Sequence, residues 1–299
     1  MPLGQRVLTV TFSGPQLGGG TVTLDETLDL KVKIIKGALA IHNKCEILVS
    51  NLSVSLRTSL LSQFTAWNRR SVDTNQSAAT QTSYVNVVVS AGNNNPGQPS
   101  TVVPIFKGQV VLCEPVGDLP NMAVSIGCYS QQIDKTNFQV QVPPGNMTFK
   151  AYAQFVADQM GVNLLCETSY DSRVITNPGA SIHVVSDLII DLQSYYRPAV
   201  AAFVDSSTNT LVVRDVNKVI TSANTVTVDE FIGMPLWTEW GVKLKTLFNP
   251  QIQMTSAVQL KSVLNPSLND VAYVAYALEY DLTSRDTAFY VTVNAAPPA

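Results

Sequence analysis

The residues of this chain with chemical potential are two histidines, four cysteines and two pairs of adjacent carboxylates. A general base needs a partner within hydrogen-bond reach and a place in a cleft. His42 lies between Ala40-Ile41 and Asn43-Lys44, at a strand entry, and His183 lies between Ile182 and Val184 in a β-like run. Both read as packed or surface histidines. Asp25-Glu26 and Asp229-Glu230 are sequence neighbours, and neighbours on a strand face opposite ways, so neither forms an acid–base pair by itself. They read as solvated turn residues. Cys45, Cys113, Cys128 and Cys166 match no CxxC or zinc spacing and sit in apolar or strand-like runs, which reads as reduced core thiols. Gly18-Gly19-Gly20 is followed by no Gly-Lys-Ser/Thr, so it is a turn and not a phosphate loop. No Gly-x-Ser-x-Gly elbow is present. The expectation is a protein without catalytic residues, cofactor or metal.

The elements that hold these residues alternate between two styles. Leu8, Val10 and Phe12 alternate with Thr9, Thr11 and Ser13, the period of a strand with one apolar face. Leu28, Leu30, Val32 and Ile34 do the same against Thr27, Asp29, Lys31 and Lys33. One buried and one wet face fits an antiparallel sheet or small barrel. Strands are expected over 45–50, 84–90, 102–113 and 122–129. Ser53 is an expected N-cap for a helix carrying Leu56, Leu60, Phe64 and Trp67 on one stripe, ending near Asn68. Residues 71–83 and 93–97 read as loop and turn.

The style changes near Pro143-Pro144-Gly145. Asn146 is the expected N-cap of a second helix with Phe149, Tyr152, Phe155, Val156 and Met160 on its apolar face and Gly161 as C-cap glycine. Leu164-Leu165-Cys166 reads as a short strand. Ser186 is an expected N-cap for a third helix with Leu188, Leu192 and Tyr195 on one side. A hairpin follows, with strands over 200–204 and 210–213. From residue 229 the pattern returns to strands, over 240–246, 251–260, 271–280 and 287–293. The fold class expected is mainly β with an α+β insertion. It comprises a first β-domain over 1–131, a small α/β module over 132–228, and a second β-domain over 229–299.

Composition narrows the function classes. The chain has 299 residues, 14% of them charged, with a net charge of −3. Its densest basic point is Arg69-Arg70, so a dedicated duplex-binding face is not expected. Few charges fit a surface that partners cover. The first residues lack a signal-peptide layout, and no apolar run approaches the roughly 20 residues of a membrane span. Folding in a cytoplasm is therefore expected. Trp237 and Trp240, in Met-Pro-Leu-Trp-Thr-Glu-Trp, have two readings: core packing at a domain junction, or aromatic anchors of a subunit interface.

Several segments, in order, resemble baseplate hub proteins of contractile-tailed bacteriophages. Arg6-Val-Leu-Thr-Val-Thr-Phe-Ser13 and Leu28-Asp-Leu-Lys-Val-Lys-Ile-Ile-Lys-Gly37 resemble the family's start. Ile105-Phe-Lys-Gly-Gln-Val-Val111 resembles its Phe-x-Gly strand, and Phe149–Gly161 with Val162-Asn163-Leu164 its middle module. Val242-Lys-Leu-Lys-Thr-Leu-Phe-Asn-Pro250 resembles the opening of its second barrel. A histidine often found before the family's final strands is missing from Tyr276–Asp281. The resemblance implies two tail-tube-like antiparallel β-barrels per chain in a homotrimer. Three such chains match a hexameric tail tube or tube-initiator ring on one side and a trimeric central spike on the other, beside other baseplate proteins. DNA passes through the lumen only in transit. The implied location is the virion tail baseplate, assembled in the host bacterial cytoplasm. A lumen that DNA traverses should not be basic, so Lys31 and Lys33 should face solvent or a partner, or be balanced by Asp29. The competing readings are another tail ring protein (distal tail or tube initiator), a cell-wall hydrolase and a glycan-binding module.

Overall fold

The computed structural model describes residues 5–14, 17, 20–38, 40, 43–63, 85–94, 99–117, 122–130, 145–179, 182, 185–205, 207–221 and 224–298. His42, His183, Phe64, Trp67, Arg69-Arg70, the loop 71–83 and Pro143-Pro144 lie outside them.

Most strands belong to one sheet of 13. The first group is β1 (Gln5–Ser13), β2 (Thr21–Leu24), β3 (Leu30–Gly37), β4 (Lys44–Ser50), β5 (Asn86–Asn94), β6 (Val103–Val116) and β7 (Ala123–Tyr129). The second is β13 (Thr225–Val228), β14 (Leu236–Thr238), β15 (Gly241–Leu247), β16 (Ala257–Leu260), β17 (Ala272–Thr283) and β18 (Phe289–Ala296). The described path runs β14-β15-β18-β17-β3-β4-β7-β6-β5-β1-β2, with β16 and β13 branching from β17. It is open at both ends, and no closed barrel forms among the described residues.

The two groups join through β17. Its start pairs with β16 (Ala257↔Val274), and after a bulge at Tyr276 the rest pairs with β3 (Ala277↔Gly37 to Thr283↔Lys31). The alternation seen in sequence places Leu30, Val32 and Ile34 in the core and Lys31, Lys33 and Ile35 outside. Leu8, Val10 and Phe12 are likewise buried. Helix α1 (Val54–Gln63) starts after Ser53, whose Oγ accepts from the Leu56 N–H, and buries Leu56 and Leu60 in the same core.

The middle of the chain packs separately around helices α2 (Phe149–Met160) and α3 (Val185–Ser194). They lie on a three-stranded sheet of β9 (Asn163–Glu167), β11 (Val200–Asp205) and β12 (Thr210–Asp215). A two-stranded ladder of β8 (Asn146–Thr148) and β10 (Val174–Thr176) borders it. Three expectations need correction. The N-cap of α2 is Thr148, whose hydroxyl accepts from the Ala151 N–H, because Asn146 is already in β8 opposite Thr176. Gly161 is the C-cap as expected, at φ 64. Helix α3 starts at Val185, one residue before the expected cap Ser186. The expected strand over 251–260 is a strand only over Ala257–Leu260. Ile252 and Met254 are buried, but Ser256 Oγ accepts from Gln253 N–H and donates to Gln251 O, which closes a turn instead.

Candidate interaction surfaces

Three surfaces of this fold have a distinct chemistry: the wet face of the large sheet, the seam beneath the α/β module, and the β14 edge.

The wet face is set by strand parity. Across β15, β18, β17, β3 and β4 it presents Lys243 and Lys245, Tyr290 and Thr292, Glu279 and Asp281, Lys31 and Lys33, then Glu46. Each lysine of β3 has an acidic neighbour. Lys31 Nζ lies 3.4 Å from Asp286, and Lys33 Nζ 2.9 Å from Glu279. The hydrogen bond and charge of Glu279 hold the Lys33 ammonium above its usual pKa. Lys245 Nζ lies 4.5 Å from the centre of the Tyr290 ring. Lys31 and Lys33 thus face outward, balanced by Asp286 and Glu279, where the sequence had suggested Asp29. At such exposure each pair contributes little stability. The arrangement makes a polar wall with interspersed signs.

The seam lies on the other face of β17 and β3. In the three-stranded sheet, Val200, Ala202, Val204, Leu211 and Val213 face the helices, whereas Ala201, Phe203 and Val212 face the large core. Asp205 and Arg214 share the second parity and are buried there. Asp205 meets Lys36, Nζ to Oδ1 3.8 Å, and also accepts from Ser207 N, Ser207 Oγ and Thr208 Oγ1. Burial holds the Lys36 ammonium below its usual pKa, partly opposed by Asp205. Arg214 Nη2 donates to the Ala275 carbonyl at 2.6 Å, beside the β17 bulge, and its guanidinium lies over Phe203. Burial lowers the Arg214 pKa to about 10. Asn43 Nδ2 donates to Val204 O at 3.3 Å. Sequence reading missed Lys36 and Arg214, although parity marks both: Lys36 continues Leu30-Val32-Ile34, and Arg214 continues Val212.

The β14 edge carries Trp237 and Trp240. Thr238 pairs with Gly241, so Glu239-Trp240 is a two-residue hairpin turn with Trp240 at its tip. Gly241 is obligatory, at φ 141 and so close to Ala295 that a Cβ would strike its carbonyl oxygen. Trp237 rests edge-on against Tyr273. Trp237 is 53% exposed and Trp240 72%, so neither is a core residue of the single chain. The two tryptophans lie together; Lys31 and Lys33 are on β3, with β15, β18 and β17 between. Around the edge, sequence reading missed Met234, Leu236, Val263 and Leu264, all exposed. Apolar residues flanked by Pro235, Asn265 and Pro266 were the available signal.

The described cysteines are free: Cys45, Cys113 and Cys128 are buried and Cys166 half-buried. Burial pushes the Cys113 thiol up to about 12 and those of Cys45 and Cys128 well above the usual range. The Cys166 thiol is also pushed up to about 12, by burial and then by its hydrogen bond to Asp171. Thiols held protonated in this way are poor nucleophiles. Among the described residues no group of three or more His, Cys, Asp or Glu is placed to hold a metal.

Solved phage tail proteins share this fold. The 43 kDa tail protein of prophage MuSo2 from Shewanella oneidensis superposes with a TM-score of 0.55 at 10% identity, over 97% of this chain and 98% of that one. A tail protein from Neisseria meningitidis MC58 gives 0.55 at 10% identity, over 97% and 96%. The E. coli c3393 protein, a type VI secretion component described as structurally similar to T4 tail proteins gp27 and gp5, gives 0.52 at 9% identity, over 91% and 74%. No curated protein matches by sequence. The family model described as Baseplate hub gp41 matches residues 7–295. The chain therefore belongs to that baseplate hub family, and its role is a structural one in the phage tail baseplate.

Proposed function

We propose that three copies of this chain form a ring-shaped hub that joins the hexameric tail tube, or its initiator ring, to a trimeric central spike, with DNA passing through the middle. Residues 1–131 and 229–299 supply the two tube-like units of each copy, and 132–228 the module. Six such units fit a sixfold ring, and cyclic closure satisfies every interface. The carrying observation is the wet face of the large sheet. Its β3 lysines are matched by Asp286 and Glu279 and Lys245 lies over Tyr290, which supports a wall of mixed sign that would hold a passing polyanion only weakly. The function is geometric, without turnover. Non-catalytic action is supported by the raised thiol pKa values and by the family's structural role.

Light scattering on the purified chain over a range of concentrations tests this. A species of three times 32.3 kDa is expected. A sixfold species would point to a single-unit tube ring, and clearing of peptidoglycan by the pure protein would overturn the non-enzymatic reading.

A further inference from the structure

Two thiols on the dry face of the large sheet face each other across neighbouring strands. Cys45 in β4 is the direct partner of Cys128 in β7, and both side chains are buried on the core side. The register continues outward to Asn43 and Ser130, where the Ser130 N–H donates to the Asn43 carbonyl at 2.9 Å. Hydrogen-bonded pairs recur at every second residue of an antiparallel ladder, so Cys45 and Cys128 form one, with Cα atoms about 5.5 Å apart. A disulfide spans ~4.4–6.8 Å between Cα atoms. Cys113 is a poorer partner: it lies opposite Ile126, diagonal to Cys128, at roughly 7–8 Å. Cys166 is in β9, on the separate sheet of the module.

The ladder is irregular at this rung. On the other side of Cys128, Val110 of β6 pairs with Cys128 and Leu112 with Gly127, and Val111 between them is left over. Such a bulge leaves one residue unpaired and disrupts the ladder locally, so β7 opens here at lower cost than at its regular rungs. On the wet side of the sheet, a cleft of about 300 Å³ is lined by Lys33, Lys44, Glu46 and Gly127, and also by Cys45 and Cys128. Gly127 has no side chain to cover the strand beside Cys128. A small reagent held in this cleft is therefore separated from the two thiols only by the backbone at the bulge.

We infer that Cys45 and Cys128 are an oxidisable pair, which closes a reversible disulfide across β4 and β7 when a small disulfide oxidant reaches the folded protein. The exchange takes two steps. One thiol loses its proton and attacks a sulfur of the oxidant; that half stays as a mixed disulfide, and the other half departs as a thiolate. The second thiol then loses its proton and attacks the bonded cysteine sulfur, which forms the Cys45–Cys128 bond and expels the remaining thiolate. Two electrons and two protons pass from the pair to the oxidant, which becomes two thiols. Burial keeps both cysteines protonated, so the exchange waits on opening at the bulge and is slow. Opposed Cβ atoms stand about 4.5–5.5 Å apart, beyond the roughly 3.5–4.5 Å of a disulfide, so closure draws the strands together and the bond yields readily to reductant. A reducing cytoplasm keeps such a pair open, and the surroundings of a released virion favour the bond. The family's place in the phage baseplate takes the chain from the first setting to the second.

The test treats the folded full chain with 2-hydroxyethyl disulfide until the sample no longer changes. Acid then quenches the exchange, and N-ethylmaleimide blocks the remaining thiols as the chain unfolds. Cleavage after Glu114 separates Cys113 from Cys128, so mass spectrometry of the peptides reads each link. The expected result is loss of the free thiols of Cys45 and Cys128 together, with their peptides joined, and return of both after dithiothreitol. Half-buried Cys166 should take up only a half of the reagent. Cys113→Ala should form the same link and Cys45→Ala should lose it; if Cys45→Ala does not fold, the wild-type map decides alone. A link from Cys113 to Cys128 overturns the inference, as does a folded chain whose Cys45 and Cys128 stay unlinked at the plateau. A link that forms only in urea, where the strands are apart, overturns it too. None of these outcomes touches the ring reading, which stands or falls on the assembly state.

Discussion

The large sheet and the three-stranded sheet of the module differ in what lies on their faces. The large sheet buries one face and shows the other to water, so its strands alternate, as in β3 with Lys31, Lys33 and Ile35 outside. The three-stranded sheet is covered on one face by α2 and α3 and on the other by the large core, so every residue of β11 is buried. The same residue types therefore have different energetics in the two places. A lysine on the wet wall keeps its hydration and gains little from its partner. Lys36, in the seam, has lost its hydration and depends on Asp205.

The largest effect that would sharpen this contrast is in the seam. Asp205→Ala should destabilise the fold by about 3–5 kcal/mol, because it strands a buried ammonium. Lys36→Met should cost clearly less, since Asp205 keeps Ser207 and Thr208 as donors. Urea titration of both variants decides, and equal losses would break the comparison.

The next effect concerns the dry face of the large sheet. The Cys45, Cys113 and Cys128 thiols ionise near 9.0 when unfolded and well above it when folded, Cys113 at about 12. Between these limits the folded state holds more protons than the unfolded one, so stability falls as pH rises. Each thiol contributes a slope of about 1.4 kcal/mol per pH unit once well past 9.0. Denaturant midpoints measured from pH 8 to pH 10 (~2 units, spanning the onset) should drop, and Cys113→Ala should flatten the drop.

Smaller still is the cover over the three-stranded sheet. Thr148→Ala should lower stability by about 1 kcal/mol through the lost α2 cap, whereas exposed Asn146→Ala should stay within about 0.5 kcal/mol. Least of all, Lys33→Ala on the wet wall should change stability by about 0–1 kcal/mol, and less at high salt. Thermal melts in low and high salt would show it.

What the sequence made legible follows the same division. Wherever one face is wet, alternation marks the strands, and β1, β3 and β4 were readable from Leu8-Val10-Phe12, Leu30-Val32-Ile34 and Cys45-Ile47-Val49. The C-cap of α2 was readable because a φ of 64 favours glycine, here Gly161. Local signals failed where distant contacts decide. Asn146 is a good capping residue, but pairing with Thr176 takes it into a ladder. Ile252 and Met254 have strand spacing, but Ser256 folds the segment into a turn. The tryptophans and lysines singled out as interface residues proved exposed, while Val263 and Leu264 were passed over as ordinary loop.

The strand β17 has a mechanical consequence. It runs unbroken from the second group of strands into the first, matched to β3 over seven residues from Ala277 to Thr283. A pull that tries to slide the two groups apart along this strand meets those rungs in parallel, as in shearing a lap joint, and must break them together. A pull across the strand would peel them one at a time. A joint built in this way resists pulling along β17 far better than prising across it.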